Sequence, residues 1–105
     1  MKHILLGLSL LITTTLTAQS EWVRAMDFVG SARNHPVTFS IGNYGYVVTG
    51  YGDNGFLKDM YRYDFTLDST GRMPDSPGSA RGLAYGASRG DKAYVGFGTN
   101  GSNYL

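Results

Sequence analysis

The chain has no cysteine. That excludes a disulfide scaffold, a cysteine nucleophile and a thiolate metal site within these residues, and it leaves redox compartment unreadable from cysteine usage. Histidine is nearly absent as well: of two, only His35 lies beyond the first eighteen residues. One imidazole without a paired His or Cys does not make a metal site, so neither a metal nor a cofactor is expected. Charge is sparse, at 16% of residues. Lys2 is the only charged side chain in residues 1–18, and without it eight Lys/Arg face eight Asp/Glu. No basic block remains, which argues against nucleic acid as a partner.

Long hydrophobic runs are missing too. Ile4 to Ile12 is apolar apart from Gly7 and Ser9. That is too short for a bilayer core of about 30 Å, which needs roughly 20 apolar residues. The run comes after a basic start, Met1-Lys2-His3, and precedes a small-residue close, Thr13 to Ala18. This is the three-part pattern of a secretory signal peptide, with cleavage expected after Ala18. The mature chain is therefore expected to be secreted, periplasmic or at the cell surface, with no membrane span after cleavage. No cysteine succeeds the run, so a lipid anchor would lack its attachment residue.

Glycine is abundant, with 15, and so is tyrosine, with 8, in 105 residues. That mix suits short strands and tight turns in one small domain at most. Glu21–Met26 reads as a short strand carrying the only tryptophan, Trp22. A strand over about Pro36–Ile41 leads into the turn Gly42-Asn43-Tyr44-Gly45, since Asn and Gly tolerate the positive φ of hairpin turns. A second strand over about Tyr44–Thr49 holds the apolar run Tyr46-Val47-Val48. Gly50 to Gly55 reads as a glycine-rich loop. A third strand spans about Phe56–Asp64. It ends in a turn where the Asp64 carboxylate can accept a backbone N–H two residues on, and a weak fourth strand covers about Thr70–Met73. After Pro74-Asp75-Ser76-Pro77-Gly78, strands are expected over about Leu83–Ser88 and Lys92–Phe97, joined at Gly90-Asp91.

The second set echoes the first. Sliding residues 21–57 onto 69–105 without a gap gives twelve identities. They are Arg24/Arg72, Asp27/Asp75, Gly30/Gly78, Ser31/Ser79, Ala32/Ala80, Arg33/Arg81, Ser40/Ser88, Gly42/Gly90, Tyr46/Tyr94, Val47/Val95, Gly50/Gly98 and Leu57/Leu105. A repeat of about 40–50 residues holding four short strands is the signature of a propeller blade.

The repeat resembles the kelch family. Kelch blades carry an Arg before strand one, a Gly/Asn turn, an aromatic-aliphatic second strand ending in glycine, a Tyr-Asp after strand three and a Trp in strand four. In this chain these are Arg33, Gly42-Asn43, Tyr46-Val47-Val48 with Gly50, Tyr63-Asp64 and Trp22. Arg81, Gly90, Tyr94 and Gly98 repeat four of them. More narrowly the phrasing resembles secreted kelch proteins of the Bacteroidetes type, often labelled galactose-oxidase-like. The chain departs from the pattern where Gly50-Tyr51-Gly52 replaces a Gly-Gly pair, where Phe65 replaces proline after Tyr-Asp, and where Thr70 stands at the tryptophan position. The resemblance implies an all-β fold of kelch-type propeller blades: residues 1–18 a signal peptide and 19–105 a partial propeller, with 22–69 the first repeat and 70–105 a truncated second. Closed propellers hold about four to eight blades, so further blades are required, and the chain is expected to be a fragment of a longer propeller or a truncated gene product. Trp22–Met26 would then be the outer strand that completes the ring's last blade.

No residue reads as catalytic. The repeated Arg33 and Arg81 are expected to be structural, bonding backbone carbonyls between blades. Ser40 and Ser88 recur without a nucleophile elbow. Asp53-Asn54-Gly55 lacks the spaced carboxylates of a calcium loop. Asp59, Asp64, Asp68 and Asp75 are placed in loops or strand ends. His35, Tyr44 and Tyr51 are the candidate loop contacts, the tyrosines as platforms for a sugar ring. Galactose-oxidase chemistry is implied only by the label: it uses copper, two histidines and a Tyr–Cys cross-link, which these residues do not supply. The expected function is non-catalytic binding of protein or glycan through the loops. The alternative is the N-terminal part of a sugar oxidase or sialic-acid mutarotase whose catalytic residues lie in other blades.

Overall fold

A computed structural model describes residues 20–105. The expected signal peptide, 1–18, lies outside the described residues. The fold is all-β, with one complete four-stranded antiparallel sheet and part of a second, as expected of a propeller fragment. The first sheet runs in chain order through β1 (Val37–Ile41), β2 (Tyr44–Gly52), β3 (Gly55–Asp64) and β4 (Ser69–Met73). The second is the hairpin of β5 (Tyr85–Arg89) and β6 (Lys92–Gly96).

The 48-residue period is visible in the backbone. β1 pairs with β2 from Val37↔Val48 to Ile41↔Tyr44, and β5 pairs with β6 from Tyr85↔Gly96 to Arg89↔Lys92. Both hairpins close through two residues, the first a glycine at φ 56 (Gly42) or 61 (Gly90). A positive φ at that position alone is what a tight II′ turn requires. The period also recurs where the residues differ: His35 and Leu83 sit at φ 49 and 56, Thr49 and Phe97 at 61 and 63.

Cross-strand pairing sorts the side chains of the first sheet onto two faces. Thr38, Ser40, Gly45, Val47, Tyr61 and Tyr63 share the first face; Val37, Phe39, Tyr46, Val48 and Met60 share the second. Phe39 stacks on Tyr46 at 4.8 Å between ring centroids. The most enclosed apolar side chains, Val37 and Val48, are cross-strand partners on the second face. β5 approaches them so closely that a Cβ on Gly86 would overlap Cγ1 of Val37. The core therefore lies between the two sheets.

Two expectations are corrected. Glu21–Met26 is not a strand. A strand needs a ladder partner for its N–H and C=O groups, and Glu21–Met26 pairs with no described strand; Trp22 is fully exposed. The glycine-rich stretch from Gly50 is not a loop either. β2 continues to Gly52 and β3 starts at Gly55, leaving only Asp53-Asn54 as the turn. A bulge in β3 makes this possible: Lys58 and Asp59 stand opposite the single residue Thr49, which shifts the register between Val48 and Gly50 and lets the ladder resume at Gly50↔Leu57.

Candidate functional site

In an up-and-down sheet the β1–β2 and β3–β4 turns lie at one end, and the β2–β3 turn lies at the other with the chain entering β1. The first end is closed by its own contacts. Phe65 N–H donates to Asn43 C=O at 3.2 Å, and the Asn43 amide meets the Thr66 hydroxyl. Asp64 accepts from Thr66 N–H at 2.8 Å and from Leu67 N–H at 3.1 Å. Tyr63 O–H donates to Asp68 at 2.6 Å, which raises the phenol's pKa above its ordinary value. The Asp68 carboxyl is held below its own, first by the Met26 N–H and then by this phenol.

The other end is where the two repeats meet. Arg33 is its anchor. The guanidinium donates to Ser31 C=O at 3.1 Å and Thr49 C=O at 3.1 Å, and it grips Asp59 with two bonds at 2.7 and 3.1 Å. It also lies 5.2 Å from the Phe28 ring centroid and 5.6 Å from that of Tyr61. Its side chain is 3% exposed and that of Asp59 15%. The Arg33 hydrogen bond holds the Asp59 carboxyl below its ordinary pKa, against a desolvation that works the other way. Arg81 repeats the carbonyl contacts, to Ser79 at 3.0 Å and Phe97 at 3.1 Å.

The expected inter-blade role of these arginines needs correction. Their side chains bond carbonyls of their own repeat, among them those of the matching residues Thr49 and Phe97. The link between repeats is made by the Arg81 backbone. Its C=O accepts from Gly50 N–H at 2.8 Å and its N–H donates to Leu57 C=O at 3.0 Å. Gly50 is the residue at which the β2–β3 ladder resumes, and its N–H is taken by the next repeat. Asp59 also departs from expectation: it lies inside β3 rather than in a loop or strand end. The sequence offered only the recurrence of Arg33 as a hint that a buried acid was needed.

Beside this anchor is a depression of about 420 Å³, lined by Asn34, His35, Tyr51, Phe56, Gly82, Leu83 and Thr99. Asn34 and Tyr51 exchange two backbone hydrogen bonds at 2.9 Å, and Gly82 and Thr99 repeat the exchange 48 residues on at 3.0 Å. Tyr51 is 46% exposed and meets Phe56 edge-on at 4.9 Å. His35 and Tyr51 thus come together. Tyr44 does not join them: it sits at the opposite end, within β2 rather than at a loop tip, under the Arg62 guanidinium at 4.4 Å. An imidazole, a phenol ring and an amide can hydrogen-bond hydroxyls and stack on the apolar face of a sugar ring. No group of three or more metal-ligating side chains occurs among the described residues.

Of the remaining repeat positions, Gly42 and Gly90 form the hairpin turns, Gly50 and Gly98 come directly after the positive-φ residues Thr49 and Phe97, and Tyr46 and Tyr94 occupy matching strand positions.

No family model matches the chain. It is similar to N-acetylneuraminate epimerases from two strains of Haemophilus influenzae, PittEE and 86-028NP, which are kelch-type β-propeller proteins. Each is 33% identical over 88 residues, which cover 77% of this chain and 23% of the relative. The chain thus spans about a quarter of the length of these relatives.

Proposed function

We propose that the chain builds one blade and the start of the next in a kelch-type propeller that takes up a sugar of the N-acetylneuraminate class. The likeness to the epimerases carries this reading. In it, Arg33, Asp59 and the Arg81 backbone are scaffold, and His35 and Tyr51 contribute to the rim at which the sugar is held. Acid and base catalysis falls to residues of other blades. The test is proton NMR of N-acetylneuraminate with the full-length protein. Faster epimer interconversion supports an enzyme of this kind. The absence of both binding and interconversion sinks the proposal.

Binding without catalysis is the second reading, favoured by the exposed ring of Tyr51 beside His35 in an open depression. Either way, Tyr51→Ala is expected to raise the Kd for the sugar about tenfold, the equivalent of about 1.4 kcal/mol. An unchanged Kd by calorimetry removes Tyr51 from the rim.

Export is part of the proposal. Mature protein recovered outside the cytoplasm is expected to begin at Gln19, and intact-mass measurement reads this directly. A retained Met1 removes the signal-peptide assignment.

A further inference from the structure

We propose that the depression beside Arg33 is the subsite for the acetamido group of the sugar, with Leu83 taking its methyl and the side chains of Asn34 and His35 its amide. This deepens the sugar-binding reading above and rests on it. Leu83 carries the argument. It stands 48 residues after His35, and the two hold one backbone conformation, at φ 56 and 49. Glycine adopts a positive φ freely, whereas a side chain there is strained. Leu83 bears that strain and still leaves its side chain 57% exposed. It therefore costs the fold twice, in backbone strain and in apolar surface left in water, and gains little packing. Strain of this kind gathers at ligand-binding positions.

Gly82 brings Leu83 to the site. A Cβ on Gly82 would stand 3.2 Å from the Phe56 ring, so only glycine lets the second repeat lie this close to the first. The exchange of backbone hydrogen bonds with Thr99, at 3.0 Å, holds Gly82 in place. The isobutyl group of the second repeat thus shares one depression with an amide, an imidazole and a phenol of the first.

The lining decides which part of the sugar it suits. It carries no Lys, Arg, Asp or Glu. Arg33, next to Asn34 in the chain, has its guanidinium committed to two carbonyls and to Asp59. Asp53, exposed in the β2–β3 turn, puts a negative charge at this end of the sheet. The carboxylate of N-acetylneuraminate meets no counter-charge here, so a neutral group of the sugar belongs in the depression. A hydroxyl offers Leu83 nothing apolar. The acetamido group offers a methyl, one N–H donor and one C=O acceptor. The Thr99 hydroxyl is engaged, accepting from Gly101 N–H at 3.0 Å and donating to Asn103 C=O at 2.9 Å. Asn34 pairs with Tyr51 through its backbone, and its exposed side-chain amide remains both donor and acceptor. His35, exposed beside it, adds an imidazole.

Calorimetry on the full-length protein tests this, with N-acetylneuraminate and with the analogue that carries a hydroxyl in place of the acetamido group. The wild type is expected to bind N-acetylneuraminate at least about tenfold more tightly than the analogue, the scale on which an apolar pocket weighs a small alkyl group. Leu83→Gly keeps the backbone conformation and removes the isobutyl group. It is expected to raise the Kd for N-acetylneuraminate about tenfold and to leave that for the analogue unchanged. Its Tm is expected to stay within about 5 °C of wild type, since relief of strain offsets the added freedom of the unfolded chain. Asn34→Ala is expected to weaken the same preference. Equal affinity of the wild type for the two sugars overturns the subsite and leaves the sugar-binding reading standing. So does a preference that survives Leu83→Gly, or a Kd that rises equally for both sugars. A larger fall in Tm shows that Leu83 packs inside the ring and overturns the subsite as well. A preference unchanged in Asn34→Ala overturns the amide contact. If the wild type binds neither sugar, the sugar-binding reading itself fails and the subsite with it.

Discussion

Residues 20–105, produced without further repeats, are expected to show no cooperative thermal transition. Among the described residues only Val37 and Val48 are buried apolar side chains. Each contributes roughly 1.5–3 kcal/mol, while backbone ordering costs about 1–2 kcal/mol for each single residue of the six strands. Large apolar side chains that should offset this cost are open to water, among them Phe65, Leu67, Tyr85 and Phe97 at 59, 72, 77 and 71% exposure. Each repeat buries one face only against its neighbour, so a sheet without neighbours on both sides has an unfinished core. Circular dichroism should record a shallow, featureless change on heating. A sharp transition in a species shown to be monomeric by sedimentation would refute this account of the core.

The second large effect belongs to the Arg33–Asp59 pair, measured in the full-length protein. Asp59→Asn keeps the shape but leaves a guanidinium at 3% exposure without its counter-charge. Stranding one partner of a buried pair costs about 3–5 kcal/mol. Arg33→Lys is expected to lose much of the same, because an ammonium cannot reach two carbonyls and both carboxylate oxygens at once. The exposed pair Arg24–Asp27, at 85 and 82%, is the contrast: Asp27→Asn is expected to change stability by less than about 1 kcal/mol. Denaturant titrations at neutral pH compare the three.

The same pair gives a pH dependence of defined sign. The folded-state pKa of Asp59 is depressed. Its contribution is therefore fully present above the ordinary carboxylate pKa and is lost as pH falls through the lower folded value. The gap between wild type and Asp59→Asn should be constant through neutral pH and narrow as the solution is acidified below the ordinary aspartate range. A gap that widens on acidification would place the stabilising role elsewhere.

Turn chemistry and alternation are local, which is why strand order was legible in the chain. Gly42-Asn43 and Gly90-Asp91 mark the hairpins because only certain residues accept a positive φ, and the 48-residue echo placed β5 and β6 close to where they lie. Glycine misled at Gly50 to Gly55, where three glycines suggested a loop. One of them comes directly after the register shift and the other two flank a two-residue turn. The positive φ just before Gly50 was invisible, since Thr49 and Phe97 share a conformation without sharing a side chain. For the site, His35 could be named as the one histidine beyond residue 18, at the start of the first strand, and Tyr51 from its place between two glycines, but Tyr44 looked equivalent. Which end of the sheet each tyrosine occupies depends on strand direction and register.

By itself, then, the sequence determined that this is a β chain built on a 48-residue repeat, with tight turns at two matching glycines and an arginine ahead of each inner strand. Those features are set by backbone sterics and by a period that can be counted along the residues. Only the tertiary structure decided what the arginine holds. Asp59 is 26 residues away and lies in the β3 bulge opposite Thr49, whose carbonyl Arg33 also holds. It also decided that the next repeat attaches through the Arg81 backbone, since an N–H and a C=O carry no residue identity to read. Pairing across a sheet and stacking between sheets are long-range choices, fixed by register and by which face finds a partner.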